Sequence, residues 1–223
     1  MHTLHIDVTI WVDIARFTLG FDVLSADPSK LCLCKHSYAS TYHLGVCLRK
    51  GGQIHRHDHF NALMSRLLRD TGKMTQLEPT GLYGGDTRTK PDLLIMHAGP
   101  DQSHILWDAS FTSPLQPLNL SYASRKQYFN TKIRFDTKNN KHQPLIPYGY
   151  SFMPIVVDTY GAIYPPSFRA LKSMCPTADA DPNWLAPNWA TRTRWSYWRQ
   201  VLSVVHLARA MADLAWRSQQ PAT

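Results

Sequence analysis

The chain has 223 residues, is 43% hydrophobic and 18% charged, and carries a formal net charge of +8 with a pI of about 9.4. That length admits one sizeable core, or one domain with a small appendage. No apolar run approaches the length of a membrane span, so no membrane partner is expected. The first residues (MHTLHIDVTIWVDIARF) mix acids and histidines and lack the basic flank and apolar block of a signal peptide, which points to an intracellular protein. The four cysteines are then expected in a reducing compartment, as metal ligands or free thiols rather than disulfides. The basic balance favours a nucleic-acid partner.

Taken in chain order, residues 1–29 read as a short helical segment, with Ile10, Trp11, Ile14 and Phe17 at helical spacing. Residues 30–50 are rich in cysteine and histidine and poor in core-forming runs. Gly51 and Gly52 mark a turn. Residues 58–70 read as an amphipathic helix with Phe60, Leu63, Met64, Leu67 and Leu68 on one face, Asp58 as its N-cap, and Thr71 and Gly72 at its end. An edge strand is expected at 74–78. Two strands follow at 92–97 and 105–111, joined through Gly99, Pro100 and Asp101 as a hairpin. A polar, basic helix is expected over 121–139, ended by Pro144 and Pro147. Residues 152–158 (FMPIVVD) read as a β-branched central strand. The Pro-rich stretch 165–187 reads as loop with room for a turn of helix at 168–173, and 195–216 as a long helix.

Three groups of residues carry chemistry. Asp92 opens the first hairpin strand and Asp108 closes the apolar run of the second, so antiparallel pairing brings them to one end of the sheet. They are either ordinary strand-end turn residues or the paired carboxylates a divalent cation needs. Phosphodiester hydrolysis also needs positive charge where the transition state gathers negative charge. The usual nuclease pattern places a lysine two residues after the second acid. Here Ser110 stands there, so the cation must come from the following helix, which offers Lys126, Lys132, Lys138 and Lys141.

Cys32, Cys34, His43 and Cys47 supply the ligand count of a tetrahedral Zn²⁺ site, with one residue rather than two to four between the first pair, and His36 is a substitute ligand. The alternative is a set of buried thiols or a decayed site. Arg56 and His57, at the expected helix start, can contact phosphate through side chains and free backbone N–H groups. Asp58 can cap that helix or add an outer carboxylate. No G-x-S-x-G elbow occurs, and the lone Gly pairs form no phosphate cradle.

In their joint order these motifs resemble the C-terminal region of LINE-type (non-LTR) retrotransposon proteins that use a restriction-like endonuclease. The matching residues are the Cys32, Cys34, His43, Cys47 knuckle; Lys50, Gly51 and Gly52; Arg56, His57 and Asp58; and Lys90, Pro91 and Asp92. Asp108 follows after fifteen residues. Then come Lys138 to His142, with histidine in place of the family's tyrosine, and Phe152, Met153, Pro154 and Ile155 leading to Thr159 and Gly161. His59 stands where family members often carry glutamate.

The resemblance implies an α/β fold with a restriction-endonuclease-like α-β-β-β-α-β core over 51–164, a mixed sheet flanked by helices. A knuckle-like segment at 30–50 precedes it, and a Pro-rich loop with a C-terminal helix over 165–223 follows. It implies a PD-(D/E)xK-type nuclease with Mg²⁺ or Mn²⁺ on Asp92 and Asp108, and with Lys141 or Lys138 as the displaced lysine. Arg56, His57, Lys90 and Lys126 would contact nucleic acid, and Asp58 and Ser110 would support the site. Implied partners are DNA, with RNA as a second nucleic acid, and a reverse transcriptase region, in the nucleus. Nothing in the chain encodes a polymerase, so a fragment, a stand-alone derivative or a decayed copy is expected. The competing readings are a nucleic-acid-binding module that has lost catalysis and a zinc-stabilised interaction domain.

Overall fold

The computed structural model describes residues 12, 14–16, 52–84, 89–175 and 193–202. The proposed zinc ligands Cys32, Cys34, His43 and Cys47 lie outside them, as does the far end of the C-terminal helix. The described part is an α/β unit: a four-stranded mixed sheet flanked by helices.

The first long helix, α1 (Gly52–Arg69), buries Phe60, Met64, Leu67 and Leu68, a stripe at helical spacing. It begins six residues before Asp58. The Gly pair read as a turn is therefore the helix start, and Asp58 sits inside the helix rather than capping it. Nothing between Gly52 and Asp58 breaks a helix, so the apolar stripe at 60–68 extends backwards without a stop. The end matches expectation: Thr71 donates its hydroxyl proton to the Leu68 carbonyl at 2.7 Å, and Gly72 takes φ +80°.

The sheet order is β1 (Thr75–Leu77), β2 (Leu93–Ile95), β3 (His104–Thr112), β4 (Tyr150–Asp158). The first two pairings are antiparallel and β3 with β4 is parallel. The β2–β3 connection is the expected hairpin. Gly99 donates to the Ser103 carbonyl at 2.9 Å, and a Cβ at Gly99 would run into Ser103 Oγ.

Side chains alternate across β3. Ile105, Trp107 and Ala109 join Leu93, Ile95, Ile155 and the α1 stripe in the main core. On the other face Leu106 joins Leu94 and Tyr83 in a smaller cluster, with Phe152 packed against it. Asp108 and Ser110 continue that second face and are buried at 3% and 4% exposure.

Three expectations need correction. The helix over 121–139 is two elements, α2 (Leu120–Ala123) and α3 (Phe129–His142), because Tyr128 adopts a left-handed conformation (φ 62°) that interrupts the chain of helical residues. The Pro-rich stretch begins as helix α4 (Pro165–Met174), not loop: prolines at the first helical positions cost no hydrogen bond, and Leu171 and Met174 give it a buried side. Among the described residues β4 is an edge strand, not a central one. Pro154 within it lacks an N–H and is tolerated there for that reason.

That edge is closed by α4. The Val156 N–H donates to Ser167 Oγ at 3.1 Å, the Ser167 hydroxyl donates to the Pro154 carbonyl at 2.9 Å, and Tyr164 N–H donates to the Val156 carbonyl at 2.9 Å. The last described helix, α5 (Arg194–Gln200), is capped by Thr193, whose hydroxyl accepts from Ser196 N–H at 3.0 Å. It buries Trp198 in the main core, and Val201 and Leu202 just beyond it are buried there too. No helix among the described residues is long and apolar enough to cross a membrane.

Ser167 is fully buried. Replacing it with alanine strands one buried donor and one buried acceptor of β4, which costs about 1–3 kcal/mol. Ser167→Ala is therefore expected to lower the urea midpoint with an unchanged m-value, read by circular dichroism.

Candidate metal centre

The β2–β3 register pairs Leu93 with Trp107, and Asp92 N–H donates to the Trp107 carbonyl at 2.8 Å. One residue further along, Asp92 and Asp108 stand against each other on the same face. Helix α1 adds His57, whose Nε2 lies 2.8 Å from Asp92 Oδ2. Donor atoms of His57, Asp92 and Asp108 all fall within 4.8 Å of one another.

Each carboxylate has its own partners. Asp92 Oδ2 also accepts from the Ala109 N–H at 2.7 Å. Lys138 Nζ donates to both oxygens of Asp108 at 2.7 Å. His142 Nε2 lies 2.7 Å from Asp108 Oδ2, a close polar contact rather than an aligned hydrogen bond. His142 Nδ1 is 2.8 Å from the Tyr83 hydroxyl, and its ring stacks on Phe152 with centroids 4.4 Å apart.

The α3 residues that reach β3 are Arg134, Lys138 and His142, one row at i, i+4 and i+8. Helical rise over four residues is about 6 Å and strand rise over two is about 6.7 Å, so this row lies along the Ser110 and Asp108 positions. Arg134 Nε donates to Ser110 Oγ at 2.6 Å.

The electrostatics follow from burial and pairing. Burial alone would raise Asp108, but His142 and Lys138 outweigh it and hold the carboxyl down at about 2. Burial would lower His57, but Asp92 and then Asp58 outweigh it and raise the imidazole to about 9. Asp92 is raised by burial and by the neighbouring charge of Asp108, against the pull of His57. Tyr83 is raised by burial and then by the two aspartates. Asp92 thus favours the imidazolium form of His57, whose second ring nitrogen lies 3.2 Å from Asp58 Oδ1.

Of the residues expected in the site, Asp92, Asp108, His57 and Lys138 come together. Lys141 is exposed and contacts neither carboxylate among the described residues. Arg56 is buried at 7% exposure, with its guanidinium over the Phe111 ring at 5.1 Å, so it packs rather than facing a phosphate. Asp58 is exposed and serves His57. Lys90 is exposed and paired with Glu78, and Lys126 is exposed on the turn between α2 and α3.

Sequence patterns do not single out Tyr83, Asn61, the Ser110 contact of Arg134 or the contact of His142 with Asp108. A signal for two of them was present: Arg134 and His142 flank Lys138 by one turn each on the same helix. Asn61 follows His57 by one turn of α1. Its Nδ2 is 3.3 Å from His57 Nε2, and its Oδ1 is buried without a hydrogen-bond partner.

A scan of protein-family models finds no match to the chain, and a search of curated proteins finds none either.

The donor set can hold a metal ion. Two carboxylates and one imidazole suit a cation that accepts both oxygen and nitrogen. That mixture favours Mn²⁺ over Mg²⁺, which prefers oxygen alone. A histidine ligates only as the neutral ring, so binding competes with the proton on His57. With that ring raised to about 9, apparent Mn²⁺ affinity is expected to climb by up to about tenfold per pH unit between pH 6.5 and 8.5, measured by calorimetry. His57→Gln is expected to bind more weakly with a nearly flat profile. In the metal-free chain the sign is opposite. The raised imidazole stabilises the fold fully below its ordinary value of 6.5, and that stabilisation is lost as pH rises through about 9, which thermal melts can follow.

Proposed function

We propose that the chain is a metal-dependent DNA endonuclease of the restriction-like, PD-(D/E)xK type, derived from a retrotransposon-like element. One observation carries the reading. Asp92 and Asp108 converge on one sheet face, and Lys138 delivers from α3 the ammonium that this class of site carries on the strand. The element order supports it as well: a helix, three strands, the helices α2 and α3, then a strand parallel to the third.

The cation would be held by Asp92 and Asp108 with His57 as third donor, and when bound it would polarise a phosphoryl oxygen and acidify a water. Lys138 does two things for such a site. It balances Asp108, keeping two buried carboxylates compatible in one fold. It also keeps a positive charge beside the place where a phosphodiester gains negative charge in the transition state. His142 and Tyr83 fix the far side of Asp108, so the carboxylate presents a constant orientation. The nick would leave a 3′ end able to prime reverse transcription, in the nucleus, with a reverse transcriptase region as partner. Zinc at Cys32, Cys34, His43 and Cys47 would be structural, on the strength of ligand count alone.

A second reading has an observation of its own. Asp108 already has two basic partners, Lys138 and His142, which is also how a binding module would keep the fold after losing catalysis.

Nicking of supercoiled plasmid with Mn²⁺ or Mg²⁺ separates the two. Asp108→Ala is expected to abolish nicking. Lys138→Met is expected to slow it by about 10²–10³-fold, while Lys141→Met should leave the rate within about threefold, as for a solvated cation. Equal background from wild type and Asp108→Ala would remove the enzyme reading.

A further inference from the structure

Arg134 is the cation next to Lys138 whose placement the site above does not explain. Its side chain is exposed, yet its Nε is tied to Ser110, a residue only 4% exposed, at 2.6 Å. Two exposed cations nearby are neutralised: Lys90 pairs with Glu78, and Lys132 pairs with Asp136 at 2.5 Å. Arg134 has no carboxylate partner among the described residues, and neither of its Nη groups makes a hydrogen bond there. Its anchor is a neutral hydroxyl. A hydroxyl orients a guanidinium without cancelling its charge, whereas a carboxylate would do both.

The result is a fork held at its root and open at its tip. The open edge carries the paired N–H donors that match two oxygens of a phosphate. Ser110 lies two residues from Asp108 on the same strand face, and Arg134 lies one helical turn from Lys138. Both spacings are about 6–7 Å, close to the step between successive phosphates along one strand.

We infer that Arg134, positioned by Ser110, grips a DNA backbone phosphate beside the one that faces Asp92 and Asp108. The choice of a phosphodiester as ligand rests on the nuclease reading. Ser110 is then a positioning residue: where the usual nuclease strand carries a lysine of its own, this strand carries an acceptor that borrows an arginine from α3.

The test is binding rather than cleavage. A fluorescein-labelled duplex of about 30 base pairs is titrated by anisotropy in EDTA across a sodium chloride series, with melting curves to show that each variant folds. Arg134→Ala is expected to weaken binding about tenfold and to reduce the slope of log affinity against log salt by about 0.9, the loss of one phosphate contact. Ser110→Ala keeps the charge and loses its orientation, so affinity should fall about threefold with the slope unchanged. Arg134→Lys should keep the slope and recover only part of the affinity, since lysine has no Nε–H for Ser110 to hold. Wild-type slope and affinity in Arg134→Ala would overturn the inference. So would wild-type affinity in Ser110→Ala, or a wild-type chain with no affinity for the duplex. Failure of the nuclease reading looks different: no nicking by wild type, with the binding differences intact.

Discussion

Two buried carboxylates facing each other across one β-ladder are the constraint around which the rest is arranged. Donor atoms of Asp92 and Asp108 fall inside the same 4.8 Å cluster. At an effective dielectric constant of about 20, two unit charges that far apart repel by roughly 3.5 kcal/mol, before any desolvation. A hairpin could relieve this by slipping one residue. That would turn Leu93, Leu106 and Trp107, all buried, to the wrong faces. The register is therefore held by apolar side chains, and the repulsion has to be met by neighbours instead. Helix α1 supplies His57 and helix α3 supplies Lys138 and His142.

The same logic links the site to the sheet edge. His142 is placed by Phe152, on which its ring stacks, and Phe152 belongs to β4. Strand β4 is an edge strand whose outward backbone groups are satisfied by Ser167 and Tyr164 around the start of α4. A chain of contacts thus runs from α4 through β4 and His142 to Asp108. A Pro-rich segment expected as connecting loop is thereby linked, contact by contact, to a site carboxylate on the neighbouring strand.

How much of this could be read beforehand depended on whether the signal was local. The hairpin, the end of α1 at Thr71 and Gly72, and the convergence of Asp92 with Asp108 follow from short-range patterns: alternation, turn chemistry and strand polarity. The split of the basic helix at Tyr128 and the edge position of β4 do not. Each depends on what packs against the segment, as when the Tyr128 ring lies 6.2 Å from that of Tyr164. Among site residues the pattern is similar. Asp92, Asp108 and Lys138 were visible as acids and bases in order. The contacts of Arg56 with Phe111 and of Tyr83 with His142 left no local signal, because each partner is distant in sequence.

The displaced lysine has a geometrical explanation. A cation on β3 two residues past Asp108 would sit about 6.7 Å along the strand, on the face that α3 covers. Helix residues four apart advance about 6 Å, so the α3 row keeps step with the strand over two successive contacts. Either element can therefore carry the charge for the same point in space. With Ser110 on the strand, the positive charge at the Ser110 level comes from Arg134 and at the Asp108 level from Lys138. Moving the ammonium to the helix also frees the strand position to be buried, since serine is small and its single hydroxyl can accept where a lysine could only donate. The arrangement then depends on α3 holding its rotation against β3. Asn130 serves that need at the helix start by donating to the Ser113 carbonyl at 2.9 Å and to the Pro114 carbonyl at 3.1 Å, just beyond the strand's end.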